Sequence, residues 1–256
     1  MEILIFVAVI VVLIVAHEFG HFIAAKWSGM RVDEFGIGYP PRALTLGKVG
    51  ETEITLNWLP FGGFVRIFGE NGGDGDPRAF SAKPRVLQAI VLVAGITMNM
   101  LVAWLILSML YVVGAFGVTH IPLFSALARG AVLTYQLTVS TAVALVHFFS
   151  SIFTFSVDLS QVAGPLGIAG ALGTASSVGA SSVFFLVALI SINLALVNLI
   201  PVPALDGGRL LFVIIEGIFR RPLPARFAGA VNGVGFAFLV LLMVVVTVHD
   251  IFKLVA

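Results

Sequence analysis

The sequence predicts an all-α polytopic membrane protein, with about four transmembrane helices and a small membrane-dipping β-loop or sheet between the first two. Three observations predict it. First, 59% of the 256 residues are hydrophobic and only 11% are charged, with a mean hydropathy of +1.11. A water-soluble domain carries about 25% charged residues. Second, apolar stretches long enough to cross a bilayer recur along the chain. Third, charged residues, glycines and prolines gather in residues 30–84, between the first two apolar stretches. The net charge of +1 and the lack of any basic stripe argue against a nucleic-acid partner. There is no cysteine, so metal ligands must come from His, Asp and Glu.

The first span is expected at about residues 2–28. Its N-terminal end carries Glu2 and no Lys or Arg, so it reads as a retained helix rather than a cleaved signal. Residues 30–84 follow, with eight Lys/Arg between Lys26 and Arg85 and seven Asp/Glu among them. Glu53–Leu59 and Gly63–Phe68 read as short strands between turns. The apolar Phe35, Ile37, Tyr39, Trp58, Phe61 and Phe64 argue that part of the loop dips back into the membrane. Backbone at that depth needs partners, and a small sheet supplies them. Asn71 to Pro77 reads as a turn.

Residues 86–114 form the second span, with Gly95 and Asn99 four apart on one face. Small and amide residues at that spacing suit close helix contact and interhelical hydrogen bonds. Residues 130–155 are apolar but carry Thr134, Gln136, Thr138, Ser140 and His147, and read as an interfacial or partly embedded helix. Asp158 to Ser182 suits a loop or a small packed helix. Residues 183–219 form a third span, broken at 198–208, where Pro201, Pro203, Gly207 and Gly208 interrupt the helix. Broken helices within membranes usually line a site. Residues 228–249 form the last span, and the whole chain, 1–256, is expected to be one membrane-embedded domain.

The chemistry concentrates at His17-Glu18-Phe19-Gly20-His21. On a helix, positions i and i+4 lie about 40° apart, so both imidazoles face one ion. Glu18 falls beside that ion, where a carboxylate can hold a water. His-Glu-x-x-His is a zinc metallopeptidase pattern with Glu as general base. Two imidazoles and a carboxylate are costly in hydrocarbon, so their presence within an apolar segment points to function. Asp206, ionisable and on the broken third span, is the obvious third ligand. Lys and Arg flank residues 30–84 and cluster again at Arg220, Arg221 and Arg226, whereas Arg129 is alone between them. The positive-inside rule therefore places 30–84 and 220–227 in the cytoplasm and both termini outside. His17 and Asp206 then share the inner half of the bilayer, provided residues 130–155 do not cross.

With these residues in view, the chain resembles the site-2 protease family of intramembrane zinc metalloproteases, closest to the bacterial members that cut anti-sigma factors and remnant signal peptides. The resemblance rests on His17–His21, Gly95 and Asn99, Asn198-x-x-Pro-x-Pro-x-Leu-Asp-Gly-Gly, Gly62-Gly63-Phe64-Val65 and Phe80-Ser81-x-Lys83. It implies one zinc ion held by His17, His21 and Asp206, with Glu18 as catalytic base. It also implies a β-loop edge strand near residues 35–68 that pairs with an unwound transmembrane substrate. Asn198, Pro201 and Pro203 match substrate-binding positions, and Asn99, Gly62 and Gly63 are further candidates for substrate or oxyanion contact. Close bacterial relatives carry one or two PDZ domains between the second and third spans, and this chain has no room for one. The implied location is the cell inner membrane, multi-pass, with the active site toward the cytoplasm. Implied partners are a transmembrane protein or peptide substrate and the lipid bilayer; the oligomeric state is left open. The alternatives are a membrane metal transporter, which needs no Glu18 and usually shows an internal repeat, and a non-catalytic membrane adaptor. His147 reads as a packing or interfacial residue, His120 and His249 as solvated, and Glu216 as the partner of Arg220 one turn on.

Overall fold

In the computed structural model, residues 2–70, 75–117, 121–154, 163–221 and 223–255 are described. The elements run α1 (Glu2–Trp27), β1 (Val32–Val49), β2 (Thr52–Ile67), a short 3-10 turn at Phe80–Ala82, α2 (Arg85–Val112), α3 (Leu123–Phe153), α4 (Pro165–Val178), α5 (Ala180–Leu199), α6 (Asp206–Phe219) and α7 (Ala225–Val255). Five of these helices are long and apolar enough to cross a membrane: Ile3–Trp27, Arg85–Val112, Leu123–Ser151, Ala180–Leu199 and Arg226–Lys253. Four of them coincide with the expected spans. The fifth is α3, which begins seven residues before the expected 130. The expected turn at Asn71–Pro77 lies partly, and His120 wholly, outside the described residues.

The chain divides into two compact units. One comprises Val7–Asn99 and Val197–Phe236. Its core gathers Ala24, Ala25, Met30, Val32, Ile67, Phe80, Val91, Leu92 and Val213, which joins α1, the sheet, α2 and α6. Full burial of a Leu- or Val-sized side chain contributes about 1.5–3 kcal/mol. The same unit corrects one expectation. Glu216 pairs with Arg85 at 2.7 Å and accepts the Leu223 N–H, rather than pairing with Arg220. The helix stops at Phe219, and Arg220 is left-handed (φ 52°), so the i, i+4 spacing no longer holds there.

The sheet consists of β1 and β2, paired antiparallel. Its register shows that both strands double back. Glu34 to Ile37 pair with Gly63–Arg66 on one side and with Glu53–Leu56 on the other, and Leu56 pairs with both Ile37 and Leu44. Residues 63–67 thus form an edge: among the described residues only the 32–37 segment pairs with them. Glu34 pins the middle. It is buried, accepts the Thr55 hydroxyl at 2.7 Å, and binds Arg42 and Arg66 at 2.9 Å each.

The other unit comprises residues 1–6, 100–196 and 237–256. Ala103, Leu107 and Leu110 of α2 bury against Ala188, Ile192 and Leu196 of α5, and α3 covers them with Leu133, Leu137, Ala142 and Leu145. α3 runs antiparallel to α2. Trp104 donates its indole N–H to the Leu127 carbonyl, Gly130 abuts Ser108, and Thr138 reaches the sulfur of Met100. A small residue at Gly130 lets the two backbones approach, as membrane helices do. On α7, Asp250 is buried and accepts the Gly167 N–H at 2.9 Å, in the first turn of α4. His249 beside it is half-buried rather than fully solvated.

Candidate metal and peptide site

α1 carries His17 and His21 one turn apart, both buried, with ring centroids 4.8 Å apart. α6 begins at Asp206, and the chain before it makes a tight reversal. Ala204 is left-handed (φ 74°), Leu205 caps the helix in extended backbone, and the Ala204 N–H reaches the Asn232 amide oxygen. Gly207 and Gly208 are required there by contact. A Cβ on Gly207 would fall onto the Leu199 and Ile200 carbonyl oxygens, and one on Gly208 onto that of Val202. The broken helix is thus a fold-back that aims Asp206 at α1.

Three ligand atoms converge. His17 Nε2 stands 2.9 Å and His21 Nε2 3.1 Å from Asp206 Oδ2, and the two nitrogens are 3.2 Å apart. Ligands about 2.0–2.1 Å from a tetrahedral zinc lie roughly 3.3 Å from one another, so the triangle needs to open by only a few tenths of an ångström. The donor set of two imidazoles and one carboxylate is one that zinc accepts. Space is kept for the cluster by α2, where a Cβ on Gly95 would stand 2.8 Å from both Cε1 and Nε2 of His17 and nearer still to His21 Nε2. His21 Nδ1 meets the Val91 carbonyl at 2.7 Å, and His17 Nδ1 meets the Asn99 carboxamide at 3.2 Å.

Glu18 is half-buried on the side facing the sheet edge. Its carboxylate lies toward the Val65 backbone N–H. The Cβ position of Gly63 lies 3.2 Å from the Glu18 Cγ and 3.3 Å from Ile14. Gly62 is left-handed (φ 100°) and lies against the Tyr39 ring, where any Cβ would collide. Along the edge runs a cleft of about 510 Å³, lined by Asp33, residues 64–70 and Arg209, with Arg209 paired to Glu70. The sequence marks Tyr39 only as part of the apolar content of the loop, not as a residue of the site. Burial first, then the charges of Glu18 and Asp206, raise its phenol above the ordinary value. Its strand position, and the glycine opposite it, were the signals available.

The structure brings His17, Glu18, His21, Asn99, Gly63 and Asp206 together. Gly62 aside, the remaining candidates lie on the chain that leads into Asp206. Asn198 ends α5 one residue before its last, Pro201 is exposed on the reversal, and Pro203 packs against Gly235 of α7.

A helical membrane protein with this cluster beside a sheet edge falls in the class of membrane-embedded zinc metalloproteases. The model of Peptidase family M50 matches residues 5–242, and the chain belongs to that family. It is an integral membrane zinc metalloprotease of the site-2 protease type. A protein of Clostridium perfringens that bears the provisional name of a zinc metalloprotease is 32% identical, over 93% of this chain and 95% of its own length. That alignment spans 319 positions, more than the 256 residues here, so the relative carries additional residues. The zinc metalloprotease RasP of Shouchella clausii is 41% identical over 55% of this chain and 34% of its own. The regulator of sigma-W protease RasP of Bacillus subtilis is 40% identical over 55% and 32%.

Proposed function

We propose that this chain hydrolyses peptide bonds within the transmembrane segments of single-span membrane proteins, as a step of regulated intramembrane proteolysis. Anti-sigma factors and remnant signal peptides are the substrate classes in view. The observation that carries the reading is the Glu18 side chain set between the His17–His21–Asp206 triangle and the 63–67 sheet edge, which among the described residues pairs on one side only.

His17, His21 and Asp206 would hold one zinc ion. When bound, zinc supplies Lewis acidity that polarises the scissile carbonyl and lowers the pKa of a water toward 7. Glu18 takes the proton of the attacking water and passes it to the leaving amine. A transmembrane helix conceals its peptide bonds in its own hydrogen bonds, so it must unwind to be cut. The 63–67 edge offers the freed backbone groups partners, and the cleft beside it offers room for side chains. Gly62 and Gly63 let the Tyr39 ring and the Glu18 side chain pack directly against the edge, which sets the base beside the strand a substrate would pair with. Asn198, Pro201 and Pro203, on the chain that leads into Asp206, are the further substrate contacts of this reading.

The protein lies in the inner membrane with both termini outside and the zinc site toward the cytoplasm, an orientation supported by the Lys/Arg distribution. In this reading α3 is partly embedded beside α2 and does not reverse the orientation of the spans that follow. The test is a reconstituted, doubly tagged single-span substrate, with product ends read by mass spectrometry. The reading expects one cut inside the apolar segment of the substrate. Cuts confined to its aqueous flanks would refute it.

A further inference from the structure

Each imidazole of the site has one nitrogen turned to the ligand triangle and the other turned to α2. For His21 the second nitrogen, Nδ1, meets the Val91 backbone carbonyl at 2.7 Å. A carbonyl only accepts, so His21 carries its proton on Nδ1 and presents a bare Nε2 to the site. For His17 the second nitrogen meets the side chain of Asn99, fully buried, with the amide nitrogen 3.2 Å from Nδ1. A carboxamide can give or take: its two ends are alike in size, and a half-turn exchanges them. The chemistry of the other ring nitrogen decides between the two. Were the amide N–H to donate, His17 Nδ1 would be bare and its proton would sit on Nε2. That proton would point into the triangle, 3.2 Å from His21 Nε2, and no lone pair would remain for a metal.

We infer that Asn99 accepts the Nδ1 proton of His17 through its Oδ1, and so fixes the tautomer that leaves Nε2 free to ligate. Asn99 is then a positioning residue that matches, on a side chain, what the Val91 carbonyl does for His21. It acts through His17 and not on the substrate or oxyanion. Gly95, one turn earlier on the same face of α2, keeps the space in front of both rings open. A second partner that orients a ligating histidine is worth about 10–100-fold in metal affinity.

The inference rests on the zinc site proposed above, and the experiment separates the two. Zinc affinity is measured by chelator competition on the purified full chain in detergent, for wild type, Asn99→Asp, Asn99→Ala and Asp206→Ala. Aspartate has nearly the shape of asparagine but can only accept. The inference expects Asn99→Asp to bind zinc within a few-fold of wild type, and Asn99→Ala about 10–100-fold more weakly. A folded Asn99→Asp that loses zinc as severely as Asp206→Ala shows that the amide N–H is needed and overturns the inference. An Asn99→Ala variant with unchanged affinity overturns it too. If Asn99→Ala does not fold, Asn99→Asp alone decides. Undiminished zinc binding by Asp206→Ala would instead remove the site on which the inference stands.

Discussion

Gly95→Ala is the perturbation whose cost follows most directly from the structure. The added methyl group would stand 2.8 Å from Cε1 and Nε2 of His17 and closer to His21 Nε2. Carbon contacts settle at about 3.5–4.0 Å, so the His17 ring must retreat by at least about 0.7 Å and the His21 ring by more. Neither has free room, since both are buried and both Nδ1 atoms are held by α2. A catalytic constellation tolerates about 0.5 Å of displacement. Overpacking of this kind costs roughly 1–3 kcal/mol where the fold survives. A loss of about 1.4 kcal/mol is tenfold in affinity, so zinc binding should fall by roughly 5- to 150-fold, with cleavage falling alongside. The assay is zinc stoichiometry and chelator competition on detergent-purified protein, with thermal unfolding in parallel. Gly170→Ala on α4 is the control. No atom lies within 4 Å of the Cβ it would add, and it should keep zinc and gain a little stability. Full zinc occupancy and wild-type cleavage in Gly95→Ala would refute the reasoning that α2 walls the metal position.

Gly207→Ala drives a methyl group onto two backbone carbonyls rather than onto movable side chains. It should unseat Asp206 and abolish zinc binding, while Gly217→Ala on the same helix, with open space around it, should not. Chelation should stop cleavage of a reconstituted substrate, and added zinc should restore it. Activity that persists in metal-free protein would contradict the donor set of His17, His21 and Asp206.

Much of the site was legible because its parts follow from local periodicity or from the cost of charge in hydrocarbon. His17 and His21 share a face by helical spacing alone, and Asp206 stood out as a carboxylate on a span broken by Pro and Gly. The sheet was legible where strand residues alternate, at 53–59 and 63–68. The strand at 32–49 was not, because its prolines and glycines read as punctuation and its pairing partners lie far along the chain. Gly95 and Asn99 were legible as a face for close helix contact and an interhelical hydrogen bond; that the contact falls on the two imidazoles of α1 is a non-local fact of tertiary structure. Tyr39 was missed as a site residue for the same reason, since only the doubled-back strand brings it toward Glu18. The Glu216–Arg220 pairing failed because it assumed helical backbone at Arg220, one residue past the end of α6. α3 was underestimated at its start because Arg129 reads as the edge of the apolar run, whereas the helix begins at Leu123. In the structure several of its hydroxyls satisfy themselves on carbonyls within the helix, as Thr134 does at Gly130.

The central claim is that Glu18 is the base of a zinc peptidase whose metal is held by other residues. Glu18→Gln tests it most directly, with zinc content and cleavage of a tagged single-span substrate measured on the same reconstituted sample. The account predicts zinc unchanged and cleavage reduced by about 10²–10⁴-fold, the contribution of a general base. Cleavage by Glu18→Gln at close to the wild-type rate would contradict it.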